Sequence, residues 1–159
     1  MHINPLPRVA GEPSLPGDKS VSHRALIFAS LQQGESVIQG LLQAEDVRAH
    51  REAWRRWGAS FRFEGDDCRV EGLGLPLPAK DLGRVDLGNS GTAMRLFAGV
   101  VAGSEGAVAE LCGDESLQQR PMRRITDPLE RHGAAITSQN GKPPLLIQGR
   151  RLEPIRHAS

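Results

Sequence analysis

The sequence predicts an α/β (α+β) fold built from two copies of one unit, and three observations carry that reading. Short motifs recur in the same order at a slowly growing offset, as a duplicated unit with short loop insertions requires. Within each copy, helical periodicity gives way to β-hairpin turn signals. The 159 residues, 38% hydrophobic and 25% charged, can bury the core of one domain.

The repeat is read from three pairs. Arg24 in the run Lys19 to Leu26 matches Arg95 in the run Asn89 to Leu96, an offset of 71. Trp57-Gly58-Ala59 answers His132-Gly133-Ala134 at 75, and Val70-Glu71-Gly72 answers Ile147-Gln148-Gly149 at 77. The copies span about residues 13–75 and 83–150.

In the first copy a helix follows Ser20 and is expected to end by Gly34, where glycine can take the left-handed conformation that closes a helix. Ser36 to Leu41 reads as a strand. Glu45 and Asp46 suit the positive end of a second helix, in which Val47, His50, Trp54 and Trp57 recur at helical spacing, so the tryptophans read as core. Gly58 ends that helix. Gly65-Asp66-Asp67 then turns a hairpin between Ser60 to Phe63 and Cys68 to Glu71. The second copy repeats the plan with a helix over Gly91 to Val101, a strand over Ala107 to Leu111, and a helix opening at Pro121, whose fixed φ suits a first turn. Gly133 closes it, and Asn140-Gly141 signals a hairpin between Ala135 to Ser138 and Leu145 to Gln148.

Composition excludes several classes of function. A net charge of +1 argues against a nucleic-acid or polybasic membrane surface and points to a small partner. Cys68 and Cys112 are isolated, with neither zinc-ligand spacing nor a disulfide framework, which fits a reducing, cytoplasmic setting. The start Met1-His2-Ile3-Asn4-Pro5 lacks an apolar signal core. The longest apolar run, Leu96 to Ala102, contains a glycine and is too short to span a bilayer.

The run Leu15-Pro16-Gly17-Asp18-Lys19-Ser20-Val21-Ser22-His23-Arg24-Ala25 sets a compact cation, a hydroxyl and a planar cation beside a helix start, a combination suited to a ligand carrying both phosphate and carboxylate. It is not a nucleotide-binding P-loop. Gly11 and Gly17 are six apart, Asp18 separates glycine from lysine, and Pro13 and Pro16 remove backbone donors. The Asn89-Ser90-Gly91 turn and Arg120 occupy comparable places before helices, where free N–H groups favour anions. On spacing alone, Asn89 and Ser90 equally read as a helix cap, and Arg120, Arg123 and Arg124 as a solvated face.

Together, Leu15 to Ala25, then Leu87-Gly88-Asn89-Ser90-Gly91-Thr92-Ala93-Met94-Arg95, then Gly113-Asp114-Glu115-Ser116 leading to Arg120-Pro121-Met122, resemble the signatures of the 5-enolpyruvylshikimate-3-phosphate synthase (3-phosphoshikimate 1-carboxyvinyltransferase) family, in order and over essentially the whole chain. The resemblance implies an inside-out α/β barrel of βαβαββ units, with about two of the three units of one domain present. It implies transfer of the enolpyruvyl group of phosphoenolpyruvate to the 5-hydroxyl of shikimate 3-phosphate, with no cofactor or metal. Lys19 matches the lysine that contacts both substrates and is the one residue here expected to share in proton transfer. Ser20 and Arg24 match binders of shikimate 3-phosphate. Gly91 and Arg120 match residues at the phosphoenolpyruvate site, and Gly91 is also the position at which a side chain obstructs the inhibitor glyphosate. Leu96 departs from the proline common after the motif arginine, which leaves glyphosate sensitivity open.

Family members are more than twice as long. By resemblance, residues 1–12 form a strand of an opposite domain, 13–159 form a partial N-terminal domain, and a hinge lies near Leu15 to Lys19. The chain stops at Arg156-His157-Ala158-Ser159, before a Ser-x-Gln motif of the family. The expectation is an N-terminal fragment that lacks turnover alone, needs the remainder of the transferase chain, and forms oligomers through exposed apolar surface. The alternatives are a UDP-N-acetylglucosamine enolpyruvyl transferase-like enzyme and a non-catalytic anion-binding module.

Overall fold

In the computed structural model, which describes residues 10–13 and 15–154, the first helix, α1 (Lys19–Leu31), opens where the Asp18 carboxylate accepts from the Val21 N–H at 2.8 Å. It ends at Gln32 and not at Gly34. Gly34 does take a left-handed φ of 87°, but within strand β1 (Gln33–Gln39), which starts before the expected Ser36 because Gln32 is already extended. Helix α2 (Glu45–Trp57) buries Val47, His50, Ala53, Trp54 and Trp57, and Gly58, at φ 129°, closes it. Strands β2 (Ser60–Glu64) and β3 (Asp67–Leu73) form the expected hairpin through a left-handed Gly65. The three strands make an antiparallel sheet in the order β1-β3-β2.

The second copy opens with a strand that periodicity did not reveal, β4 (Asp81–Asp86). Its register breaks between Asp81 and Arg84 around a left-handed Gly83, so the buried Leu82 and Val85 fall three apart instead of two. Helix α3 (Gly91–Ala102) crosses from β4 to β5 (Val108–Cys112), which runs parallel to it. A four-residue helix, α4 (Glu115–Gln118), follows on an Asp114 cap and is too short to carry a periodic signal. The helix expected at Pro121 instead begins as α5 (Arg123–Arg131), because the Met122 N–H donates to the Gly141 carbonyl at 2.8 Å and ties that segment to the next turn. There Asn140 (φ 55°) and Gly141 (φ 75°) join β6 (Ala135–Gln139) to β7 (Lys142–Gln148). The second sheet has the order β4-β5-β7-β6.

The repeat is structural. The helix caps Asp18 and Ser90 stand 72 apart, and Gln32 and Gly103 71 apart. Ser60 pairs with Glu71 as Ala135 pairs with Gln148. Those partners are 75 and 77 apart, so the two additional residues lie in the second hairpin, at the irregularity where Ser138 faces Leu145 but Gln139 faces Lys142. Gly72 and Gly149 correspond in packing as well. A Cβ on Gly72 would fall on the carbonyl oxygens of Ala29 and Gln32, and one on Gly149 on those of Val101 and Ser104, at the ends of α1 and α3.

Helices α1, α2 and α3 pack on one another, each copy's sheet packs on its own helices, and α2 also packs on α3, linking the copies. At that joint Trp54 stacks on Trp57 with centroids 5.8 Å apart, and both meet Phe97 edge to face at 5.5 and 5.7 Å. Of the 1–12 segment expected as a strand, residues 1–9 lie outside the described residues, and 10–12 carry no strand. The terminal run Arg156 to Ser159 also lies outside them. Among the described residues, no helix is long and apolar enough to cross a membrane.

Candidate functional site

The N-termini of α1, α2 and α3 converge on one open cleft of about 470 Å³, lined by Lys19, by Glu45 and Asp46, by Asn89 to Thr92 with Arg95, and by Arg120. Three helix dipoles therefore direct their positive ends at it. Capping has already occupied part of the first turns of α1 and α3, since Val21 donates to Asp18 and Ala93 to the Ser90 hydroxyl at 3.2 Å, whereas α2 has no side-chain cap.

Lys19, at the head of α1, donates to Asp46 at the head of α2 across 2.8 Å. Partial burial pushes the Asp46 carboxyl up, but the Lys19 ammonium, through its hydrogen bond and its charge, outweighs that with help from His23 and holds it below the ordinary carboxylate range. Lys19 is thus fixed at the cleft by its ion pair with Asp46.

The opposite wall is a set of side chains with fixed partners. Arg120 donates to the Asn89 side-chain amide oxygen, Oδ1, and, at 3.5 Å, to the Ser116 hydroxyl. Asn89 in turn donates to Asp114 at 2.8 Å. The Leu117 backbone N–H, the Asn89 amide and the nearby Arg120 charge together keep Asp114 below the usual carboxylate range. Arg95 donates to the Gly91 carbonyl and to the Pro121 carbonyl, both at 3.0 Å, so the segment carrying Arg120 is braced against the first turn of α3. Gly91 itself is buried. A Cβ there would lie 2.7 Å from Arg95 Nη1 and 3.2 Å from Arg120 Nη1, so only glycine leaves this guanidinium pair undisturbed.

Of the residues singled out in the sequence, Lys19, Gly91 and Arg120 meet in this cleft. Ser20 and Arg24 do not line it. They sit one helical turn apart on an exposed face of α1, and Arg24 makes no ion pair among the described residues. Arg123 and Arg124 are exposed on α5, away from the cleft. Sequence reasoning treated Asp46 as a helix-start acid, Arg95 as a marker of the repeat, and Asp114 as part of a motif. Their partners in the cleft come from tertiary contact, although the spacing of Arg95, four residues after Gly91, does place it over that turn. Cys68 and Cys112 are free and buried. Among the described residues, no group of three or more metal-ligating side chains gathers.

Two copies of one α/β unit, their helices packed on their own sheets and three helix N-termini meeting at a cleft with Lys19, Arg95 and Arg120, define the class of fold. The profile of the family described as EPSP synthase (3-phosphoshikimate 1-carboxyvinyltransferase) matches residues 3–159. The 3-phosphoshikimate 1-carboxyvinyltransferase of Gloeobacter violaceus is 44% identical over 160 residues, covering 99% of this chain and 37% of the relative. That of Acidithiobacillus ferrooxidans is 46% identical over 159 residues, covering 98% and 36%. The solved EPSP synthase from Acinetobacter baumannii superposes with a TM-score of 0.83 at 36% identity, covering 92% of this chain and 34% of that one. The chain belongs to the EPSP synthase family, and it spans little more than a third of the length of the curated relatives it matches.

Proposed function

We propose that this chain supplies one side of an active site that transfers the enolpyruvyl group of phosphoenolpyruvate to the 5-hydroxyl of shikimate 3-phosphate. The observation that carries the reading is the meeting of Lys19, Gly91 and Arg120, drawn from three separate motifs, where three helix N-termini converge. Both substrates carry a phosphate and a carboxylate, the groups that lysine and arginine recognise there.

In this reaction the 5-hydroxyl oxygen bonds to C2 of phosphoenolpyruvate and loses its proton, while C3 gains one, giving a tetrahedral intermediate. C3 then gives up a proton, the C2–C3 double bond returns, and the bond to phosphate breaks. Lys19 contacts both substrates and shares in the proton transfers as the catalytic residue of this side. Arg120 and the Gly91 backbone hold phosphoenolpyruvate, and glyphosate competes for that place. Ser20 and Arg24, on the outer face of α1, hold shikimate 3-phosphate. The convergent helix ends favour the charge of the bound pair.

Residues 13–159 act as part of the N-terminal domain, with units of about 13–75 and 83–150, and residues 1–12 as a strand of the opposite domain. The working setting is the cytoplasm. The remainder of the transferase is the required partner, because the face carrying Ser20 and Arg24 is open, and chains without it associate through apolar side chains exposed on that face, such as Val21 and Phe28. The isolated chain is expected to show no turnover, and steady phosphate release dependent on both substrates would refute this.

Amide NMR spectra of the chain, titrated with shikimate 3-phosphate and then phosphoenolpyruvate, test the reading. Saturable shifts are expected at Lys19 to Arg24 with the first ligand and at Asn89 to Arg95 with the second. A dispersed spectrum unmoved by either at millimolar concentration overturns it, and shifts given by UDP-N-acetylglucosamine instead would transfer it to that enzyme class.

A further inference from the structure

Beneath the cleft lies a chain of side chains with one member from each of the three convergent helices. His23 of α1 and His50 of α2 are both fully buried, with their Nδ1 atoms 3.0 Å apart. His23 Nε2 lies 3.4 Å from the hydroxyl of Ser90, the cap of α3, which already accepts from the Ala93 N–H. His50 Nε2 is buried and has no hydrogen-bond partner among the described residues. Both rings are neutral near pH 7. Burial lowers the His50 pKa to about 3, aided by His23, and burial also lowers that of His23, with Asp46 opposing and Lys19 reinforcing.

A neutral imidazole has one N–H and one bare nitrogen, so the two facing Nδ1 atoms share a single proton. Two orders remain. If His50 donates, His23 must carry its proton on Nε2 and point it at Ser90, which leaves both the Ser90 hydroxyl hydrogen and the bare His50 Nε2 unpaired. If Ser90 donates to His23 Nε2, then His23 Nδ1–H donates to His50 Nδ1, and only the His50 Nε2–H lacks a partner. Each unpaired buried polar atom is costly, and the second order leaves one where the first leaves two.

We propose that Ser90, His23 and His50 form a relay with this single proton order, and that His23 is a positioning residue that fixes the Asn89 to Gly91 turn of the cleft against α1 and α2. The functional meaning of the relay rests on the reading of the cleft as a phosphoenolpyruvate site, whereas its proton order does not. With the Ser90 hydroxyl directed inward, this turn offers an anion its backbone and its neighbouring guanidinium groups, not the serine side chain.

Long-range ¹H–¹⁵N spectra of the imidazole nitrogens, recorded on the whole chain at pH 7, read the order directly. His23 is expected to be protonated at Nδ1 and His50 at Nε2. The reverse assignment, or averaged nitrogen shifts in either ring, overturns the relay. In Ser90→Ala the His23 tautomer preference should be lost, and in Ser90→Thr it should be retained. If Ser90→Ala moves only the α3 amides and leaves the His23 tautomer as it was, Ser90 is a helix cap and nothing more, and the proposal fails. Half-saturation by phosphoenolpyruvate, followed at the Gly91 amide, should rise roughly tenfold in Ser90→Ala and stay near wild type in Ser90→Thr. Equal affinity in all three proteins overturns the positioning role. Absence of binding in the wild type itself would overturn the functional reading, and with it the positioning role, while leaving the proton order to be decided by the tautomer spectra.

Discussion

Gly91 shows how one missing side chain separates stability from binding. Its backbone φ is not left-handed, and what a Cβ would meet are the far ends of the Arg95 and Arg120 side chains, which can shift without moving the backbone. Gly91→Ala should therefore change unfolding free energy by less than about 1 kcal/mol. It should also weaken phosphoenolpyruvate binding by at least about tenfold, by displacing both guanidinium groups. Denaturant unfolding beside a ligand titration checks the pair of outcomes, and the opposite pattern would make Gly91 a packing residue. Arg24 and Arg123 give a second comparison. Both are exposed, but Arg24 stands one turn from Ser20, whereas Arg123 lies along Gly141. In the complete enzyme, Arg24→Ala should cost shikimate 3-phosphate affinity about tenfold or more, since charged hydrogen bonds contribute about 1.5–3 kcal/mol, and Arg123→Ala should leave it unchanged. Equal losses would remove Arg24 from the site.

Among the elements, the paired glycines Gly72 and Gly149 hold each sheet against the end of its helix. Alanine at either position would press on two backbone carbonyls that cannot rotate away, so each substitution should destabilise by about 1–3 kcal/mol, read as a lower denaturation midpoint. Wild-type midpoints in both would mean that the sheets can slide off the helix ends. Elements were legible in the sequence where a local signal coincides with the tertiary need. Val47, His50, Trp54 and Trp57 marked α2 because the stripe that packs is the stripe that repeats, and Asn140-Gly141 marked its hairpin because both residues sit at positive φ. Legibility failed where packing overrides pattern. The irregularity at Gly83 disguised β4, and the bond from Met122 to Gly141 delayed a helix that Pro121 alone would have started.

For the whole molecule, the buried histidines make folding depend on acid. His50 titrates at about 3 when folded against an ordinary value of 6.5, so the unfolded chain takes up the proton first. Its contribution is complete above pH 6.5 and declines as pH falls towards 3, with His23 acting in the same direction. Between pH 7 and 5 the loss should be about 2 kcal/mol, measured by urea unfolding at several pH values. Constant stability over that interval would mean that the rings are hydrated. Below it, the lowered carboxyls of Asp46 and Asp114 withdraw their contributions in turn as they protonate. The cleft shows the same division between what sequence carries and what only folding supplies. Lys19, Gly91 and Arg120 stood out because their motifs are local, whereas the links from Lys19 to Asp46, from His23 to Ser90 and from Arg95 to Pro121 join residues 26 to 67 positions apart.

The two residues added to the second hairpin carry a rule about how this chain can lengthen. Cys68 and Val70 face the core in one copy, and Leu145 and Ile147, each 77 positions later, face it in the other. Side chains in a strand alternate faces, so an insertion of two residues returns the inward set to the inside, while an insertion of one turns it out to water. Evolution of this strand is therefore quantised: lineages should differ here by even numbers of residues, and a library of inserts between Pro143 and Pro144, where the two additional residues lie, should recover folded members at two and four residues and lose them at one and three.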